Sequence, residues 1–208
     1  MKNNLAYIKA FFKEFQNTGT LFPSSKSLCE SLTKNLENRT EPLNILEVGS
    51  GTGVITKYIL NKMIPGDILT LSELNQEFIK ILDKNIKKHK NYQTFQNNIT
   101  IFEGPFQELH LDQSYDLIIC SLPFLNFDLN LTTAIFKKFD EVAKPHCKLA
   151  YFTFFAAAFA SKIILKNEKE RLKEIEKFHK SQNLFTVSGK DFILLNIPPA
   201  IVLNLKKL

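Results

Sequence analysis

An acid followed by three alternating glycines is the clearest chemical signal in this 208-residue chain: Glu47-Val48-Gly49-Ser50-Gly51-Thr52-Gly53. The apolar run Asn44–Val48 predicts a short strand and Val54 onward a helix, so the glycines fall in the turn between them. Glycine has no Cβ, so the backbone can turn sharply there and come close to a ligand. The spacing is tighter than the G-x-G-x-x-G of dinucleotide sites, and no Gly-Lys-Ser/Thr of a phosphate loop follows. Glu47 suits a ligand with a positive charge and an amino group, and it would repel a pyrophosphate. The expected contacts are therefore Glu47, Gly49, Ser50, Gly51, Thr52 and Gly53. Twenty residues beyond Gly53 stands Glu73, followed by Leu74. A carboxylate at that distance can accept both hydroxyls of a ribose. Alone, the turn also fits an ordinary strand-to-helix loop, and Glu73 a solvated loop acid.

These residues must be held at one edge of a scaffold. Strands are predicted at Asn44–Val48, 67–71, 99–102, Tyr115–Cys120 and 148–155. Helices are predicted from the Pro23-Ser24-Ser25 start to about residue 37, from the glycine turn to about 63, and over 77–89, 132–143 and 157–179. Residues 184–187 and 192–195 read as a closing hairpin or as two further strands. Strand and helix alternate, which argues for an α/β sheet with helices on both faces. In such sheets ligands bind beyond the carboxyl ends of the strands, where the glycine turn and Glu73 both fall. Residues 1–16 place Leu5, Ile8, Phe12 and Phe15 at helical spacing with Phe11 beside them, and Lys2, Lys9 and Lys13 among the polar positions. That stripe either packs on the sheet as a first core helix or lies on an anionic membrane surface.

Length and composition set outer limits. The chain suits one domain of ordinary size, 44% hydrophobic, with a net charge of +6. That balance permits nucleic acid, an anionic membrane or an acidic protein as partner. Cys29, Cys120 and Cys147 lack metal-ligand spacing and read as reduced core thiols of a cytoplasmic protein. Lys9, Lys13 and Glu14 interrupt the apolar residues after Met1, so no secretory signal is expected. No stretch reaches the ~20 apolar residues of a spanning helix. His89, His110, His146 and His179 are scattered and read as surface histidines. No metal site is expected, and no residue stands out as a general base.

The strand, acid and glycine turn together resemble motif I of the class I S-adenosylmethionine (SAM) methyltransferases. The resemblance implies a Rossmann-like sheet and SAM as cofactor. After the third strand stands Gly104-Pro105-Phe106, where that superfamily often has Gly-Asp-Ala with the Asp reading adenine. Here Pro105 replaces the acid, which leaves backbone groups and the Phe106 ring to hold the base; Phe106 as plain core is the alternative. After the fourth strand, Ser121-Leu122-Pro123-Phe124 is similar to the Asn/Asp/Ser-x-Pro-Tyr/Phe motif of amine-methylating members. The implied catalytic group is Ser121, Pro123 and Phe124: a proline-fixed turn aims a carbonyl and the Ser121 hydroxyl at the amine hydrogens, and the Phe124 face favours the cation. The other reading is that Leu-Pro-Phe ends a strand.

The whole chain is more closely similar to the bacterial phospholipid N-methyltransferases, which act on phosphatidylethanolamine. Phe11-Phe12-Lys13 with the Gly19 to Leu28 stretch, the glycine turn, Ser121 to Phe127, and Asn196-Ile197-Pro198-Pro199-Ala200-Ile201-Val202 carry this likeness. It implies cofactor contacts from Ser24 and Ser25, an N-terminal helical segment over residues 1–40 acting as cofactor lid and membrane contact, and a methyltransferase domain over 41–208. It also implies a phospholipid substrate, a monomer, and a place on the inner face of the cytoplasmic membrane. Ribosomal RNA adenine dimethyltransferases have a related Asn-Leu-Pro-Tyr motif. Ser121 and Phe124 depart from it, and that family's extra helical domain is not expected here, so nucleic acid is disfavoured. A small-molecule or protein amine methyltransferase, and an idle SAM-fold protein, stay open.

Overall fold

A computed structural model describes residues 24–109, 114–124, 127, 129–154, 185–197 and 199–208 of the protein. Seven strands form one sheet: β1 (Asn44–Val48), β2 (Ile68–Glu73), β3 (Ile99–Glu103), β4 (Tyr115–Cys120), β5 (Ala143–Phe154), β6 (Phe185–Ile193) and β7 (Ala200–Lys207). Their order is β3-β2-β1-β4-β5-β7-β6. The first five are parallel, and β7 runs antiparallel to both β5 and β6. The helices are α1 (Lys26–Thr33), α2 (Val54–Lys62), α3 (Gln76–Lys87), the single turn α4 (Tyr92–Phe95) and α5 (Leu129–Val142). This is the Rossmann-like sheet the sequence predicts.

Side-chain alternation builds the two cores. Ile45, Leu117 and Ile119 point to the face covered by α1, α2 and α3, with Leu28, Ile59 and Leu82. Leu46, Val48, Ile118 and Cys120 point to the other, against Phe136 and Phe139 of α5. Both faces of β1 and β4 are therefore buried, which explains their near-continuous apolar runs. The three cysteines are free and buried, as expected. Asp67, fully buried, holds the Arg39 guanidinium and accepts from the backbone N–H of Leu43 (2.8 Å) and Ile64 (2.7 Å), fixing the approach to β1 and the turn into β2.

The far edge corrects the sequence reading. The two short strands expected at 184–187 and 192–195 are one strand, β6, and its partner is β7. Ser188-Gly189-Lys190 looks like a turn but is a bulge: the register slips between Val187 and Gly189 while pairing continues. Likewise β5 begins at Ala143 rather than 148, because Pro145 and His146 (φ 65°) sit in a register shift against β4. The expected helices at 1–16 and 157–179 lie outside the described residues, as does most of the expected N-terminal segment. Its last part, α1, packs on α2, β5 and β7. Among the described residues no helix is long and apolar enough to cross a membrane.

Candidate active site

Strands β2 and β3 lie on one side of β1, and β4 and β5 on the other, so a crevice opens at the carboxyl ends where the order reverses. Val48 and Gly49 after β1, Ser72, Glu73 and Leu74 at β2, Gly104 to Gln107 after β3, and Leu122 after β4 line it, with Phe127 and Ile135 opposite. The cleft is open at its mouth, and about 380 Å³ of empty space lies in and above it, open solvent included.

The three glycines of the turn differ in purpose. All have positive φ: +78° at Gly49, +55° at Gly51 and +88° at Gly53. A Cβ on Gly49 would lie 2.9 Å from Leu122 Cδ2, and one on Gly53 2.8 Å from Leu82 Cδ1. Those two let neighbouring elements close in. A Cβ on Gly51 would meet nothing nearer than Gly49 O at 4.0 Å. Gly51 therefore presents bare backbone to open space, the feature a closely approaching ligand requires.

Glu73 anchors that turn. Its carboxylate accepts from Gly51 N (2.7 Å), Leu74 N (2.8 Å) and Asn75 N (2.8 Å) while lining the cleft. Burial raises its pKa, and the three backbone donors pull it back. A carboxylate has about four acceptor positions, so one hydroxyl fits without displacing a donor, and a second fits only if the Gly51 bond yields. No lysine or arginine lines the cleft among the described residues, which suits a nucleoside better than a pyrophosphate. The bare Gly51 backbone, the Glu73 acceptor and the amide of Gln107, which both donates and accepts, fit SAM.

Glu47 stands elsewhere. It is fully buried beneath the turn, off the cleft wall, with Oε2 accepting from the Thr56 hydroxyl (2.7 Å) and Oε1 without a hydrogen-bond partner. Burial pushes its pKa up to about 8; the Thr56 hydroxyl opposes this and the Glu73 charge adds to it. Burial thus favours the protonated form of Glu47, which stands as a structural acid beneath the turn.

The Ser121 to Phe124 segment splits in the same way. Ser121 N donates to Val48 O (2.9 Å) and its hydroxyl to Gly49 O (2.5 Å), which ties the end of β4 to the glycine turn. The hydroxyl keeps its acceptor lone pairs. Pro123 is half-buried. The Phe124 ring does not reach the cleft wall. It is buried, stacked on Phe136 at 5.2 Å and edge-on to Tyr151 at 5.5 Å and Phe127 at 6.1 Å. Phe127 is the ring that lines the cleft. Phe106 does both, lining the cleft and packing on Phe139 at 5.0 Å. Ser25 caps α1 by accepting from Leu28 N (3.2 Å), and neither Ser24 nor Ser25 lines the cleft. Ser50, Gly51, Thr52, Gly53, Ser121 and Pro123 do not line the cleft itself, although Gly51 and Ser121 adjoin its lining residues Glu73 and Gly49 through hydrogen bonds; Ser50 N donates to Ser72 O (3.2 Å), and Thr52 O accepts from Asn85 (2.8 Å).

Leu122 lines the cleft from within the Ser121 to Phe124 motif, whereas Val48, Ser72, Gln107, Phe127 and Ile135 are lining residues the sequence reading did not assign. Gln107 had a usable signal, a polar residue next to the expected adenine-side ring. Val48, Phe127 and Ile135 had none, since they look like core. Burial and the charges of Lys90 and Lys57 lower the pKa of His89, which is remote from the cleft.

The methyltransferase-domain family matches residues 45–146. An ornithine lipid N-methyltransferase of Singulisphaera acidiphila is 24% identical over 145 residues, covering 70% of this chain and 74% of that one. A malonyl-[acyl-carrier protein] O-methyltransferase of Priestia megaterium is 28% identical over 153 residues, covering 71% of this chain and 52% of that one. Among solved structures, the glycopeptide N-methyltransferase MtfA complexed with SAM superposes with a TM-score of 0.66 at 11% identity, over 90% of this chain and 96% of that one. The last likeness is one of fold.

Proposed function

We propose that this chain, whose residues 45–146 match the methyltransferase-domain family and whose cofactor is SAM, transfers a methyl group to the head-group amine of a membrane lipid, phosphatidylethanolamine and its partly methylated forms. The cofactor supplies an electrophilic methyl on a sulfonium. The chain's own work is positioning, which is most of what an in-line displacement asks of an enzyme. Glu73 and the bare Gly51 backbone hold the ribose and tail end, and Gln107 and Phe106 the base. The Ser121 hydroxyl carries the acceptor reading: held by Gly49 O at 2.5 Å, it offers its lone pairs to an amine N–H at the seam between the glycine turn and Leu122. Once its ammonium proton has left to solvent, an amine so held would have a free lone pair with which to displace the sulfide from the methyl carbon. Phe127, rather than Phe124, presents an aromatic face to the developing cation.

A lipid acceptor is supported by the four sequence stretches shared with phospholipid N-methyltransferases and by the likeness to an ornithine lipid enzyme. Work at the inner face of the cytoplasmic membrane, with residues 1–16 meeting anionic head groups, follows from the same reading. The test is acceptor choice: SAM labelled in its methyl group is offered phosphatidylethanolamine vesicles, ornithine-lipid vesicles, ribosomal RNA and a protein extract. Label in the phosphatidylethanolamine head group supports the proposal. Label confined to RNA, protein or ornithine lipid overturns its acceptor.

A further inference from the structure

Exposed large apolar side chains are unevenly placed on this protein. Seven are exposed among the described residues, and four of them fall between 192 and 197: Phe192 (62%), Leu194 (71%), Leu195 (83%) and Ile197 (72%). Apolar residues scattered singly need no explanation, but a cluster does. These occupy the end of β6 and the turn 194–199 that leads into β7. The pairing of Ile193 with Ala200, and of Ala200 with Phe154, sets the turn beside the carboxyl end of β5. That is the end of the sheet at which the cleft opens.

The turn is also built to hold its shape. Asn196 is 3% exposed amid these protruding neighbours, and its Oδ1 accepts from Ser25 N at 3.0 Å. The apolar tip is thereby fastened to the start of α1. Asp191, the nearest acid on β6, is already engaged by Lys34 and by the Ser31 hydroxyl, and Lys26 on the first residue of α1 is exposed.

We infer that the β6–β7 turn is a membrane-insertion tip, with Leu194, Leu195 and Ile197 entering the acyl-chain boundary of a bilayer and the cleft mouth facing the head groups. The shape favours lipid over protein. Three exposed side chains on so short a turn cannot bury the roughly 1,200 Å² or more that a stable protein interface needs, whereas interfacial binding grows with apolar area inserted and with nearby basic charge. Insertion brings the head-group amine to the cleft while the acyl chains stay in the membrane. The inference gains its purpose from the lipid-acceptor reading, but its test does not depend on that reading.

The chain contains no tryptophan, so Leu195→Trp is a unique reporter. Vesicles of phosphatidylglycerol and phosphatidylcholine, which carry no primary amine, separate docking from methyl acceptance. Adding them is expected to shift the emission of the Leu195→Trp variant to the blue and to allow quenching by brominated acyl chains. A Leu194→Ser/Leu195→Ser/Ile197→Ser variant is expected to lose at least about tenfold in vesicle partitioning, with an unchanged circular dichroism spectrum and SAM affinity. Three results overturn the inference: no vesicle binding by the intact protein, unshifted emission when the vesicles are saturating, or a triple variant that partitions like the parent. Emission already blue without lipid and tracking protein concentration assigns the tip to a second copy, and overturns it too.

Discussion

Replacing Glu47 by Gln tests whether a buried acid beneath the glycine turn is neutral. Burial places the Glu47 pKa at about 8 in the folded protein, against an ordinary 4.5. Below pH 4.5 the group is protonated in both folded and unfolded chains and adds nothing to the pH dependence. Between 4.5 and about 8 only the folded chain keeps the proton, so unfolding releases it and stability falls as pH rises. The slope reaches about 1.4 kcal/mol per pH unit, and the loss across the whole window is about 5 kcal/mol at most. The Glu47→Gln variant keeps an oxygen to accept from Thr56 and cannot ionise. Urea unfolding at a series of pH values from 5.5 to 7.5 is the assay. Glu73, also raised, contributes the same trend to both proteins and drops out of the difference. Variant stability minus parent stability is expected to climb by on the order of 1 kcal/mol per pH unit. A difference independent of pH refutes the reasoning, because Glu47 then ionises as an exposed acid does.

Three further outcomes follow from the site. Gly51→Ala costs about 1–2 kcal/mol of stability from its left-handed backbone and at least tenfold in SAM affinity by titration calorimetry, on the order of 1.4 kcal/mol; unchanged affinity contradicts the bare-backbone cradle. Glu73→Gln confronts three backbone N–H donors with an amide that has one acceptor oxygen, so it costs about 1–3 kcal/mol in chemical denaturation and weakens binding of the demethylated cofactor product as well as SAM. Phe124→Ala empties an aromatic cluster and lowers stability by about 3–5 kcal/mol; an unchanged melting temperature would return the ring to the acceptor site.

Much of the fold was legible because two signals agreed. Asn44–Val48 and Tyr115–Cys120 are legible to the residue, since a central parallel strand buried on both faces is a short, nearly continuous apolar run. The far edge was misread because a bulge and a turn use the same residues: Gly189 marks either, and only the pairing with Asn204 decides. Helix α5 begins at Leu129, three residues before the position expected, because Asn130 and Leu131 carry no strong start signal. At the site, the glycine turn and Glu73 were visible because both chemistries need rare residue types at fixed spacing. Glu47 and Phe124 look the same in sequence whether they face a ligand or the core. Their placement depends on packing between elements distant in the chain, Thr56 for one and Phe136 with Tyr151 for the other.

Methyl transfer to a lipid amine is read directly by mass spectrometry of lipids recovered after incubating the protein with SAM and phosphatidylethanolamine vesicles. Mono-, di- or trimethylated head groups are expected to form with the parent protein and to be strongly reduced with the Glu73→Gln variant. Unmodified lipid from a protein that binds SAM tightly in the same tube would contradict transfer to that lipid.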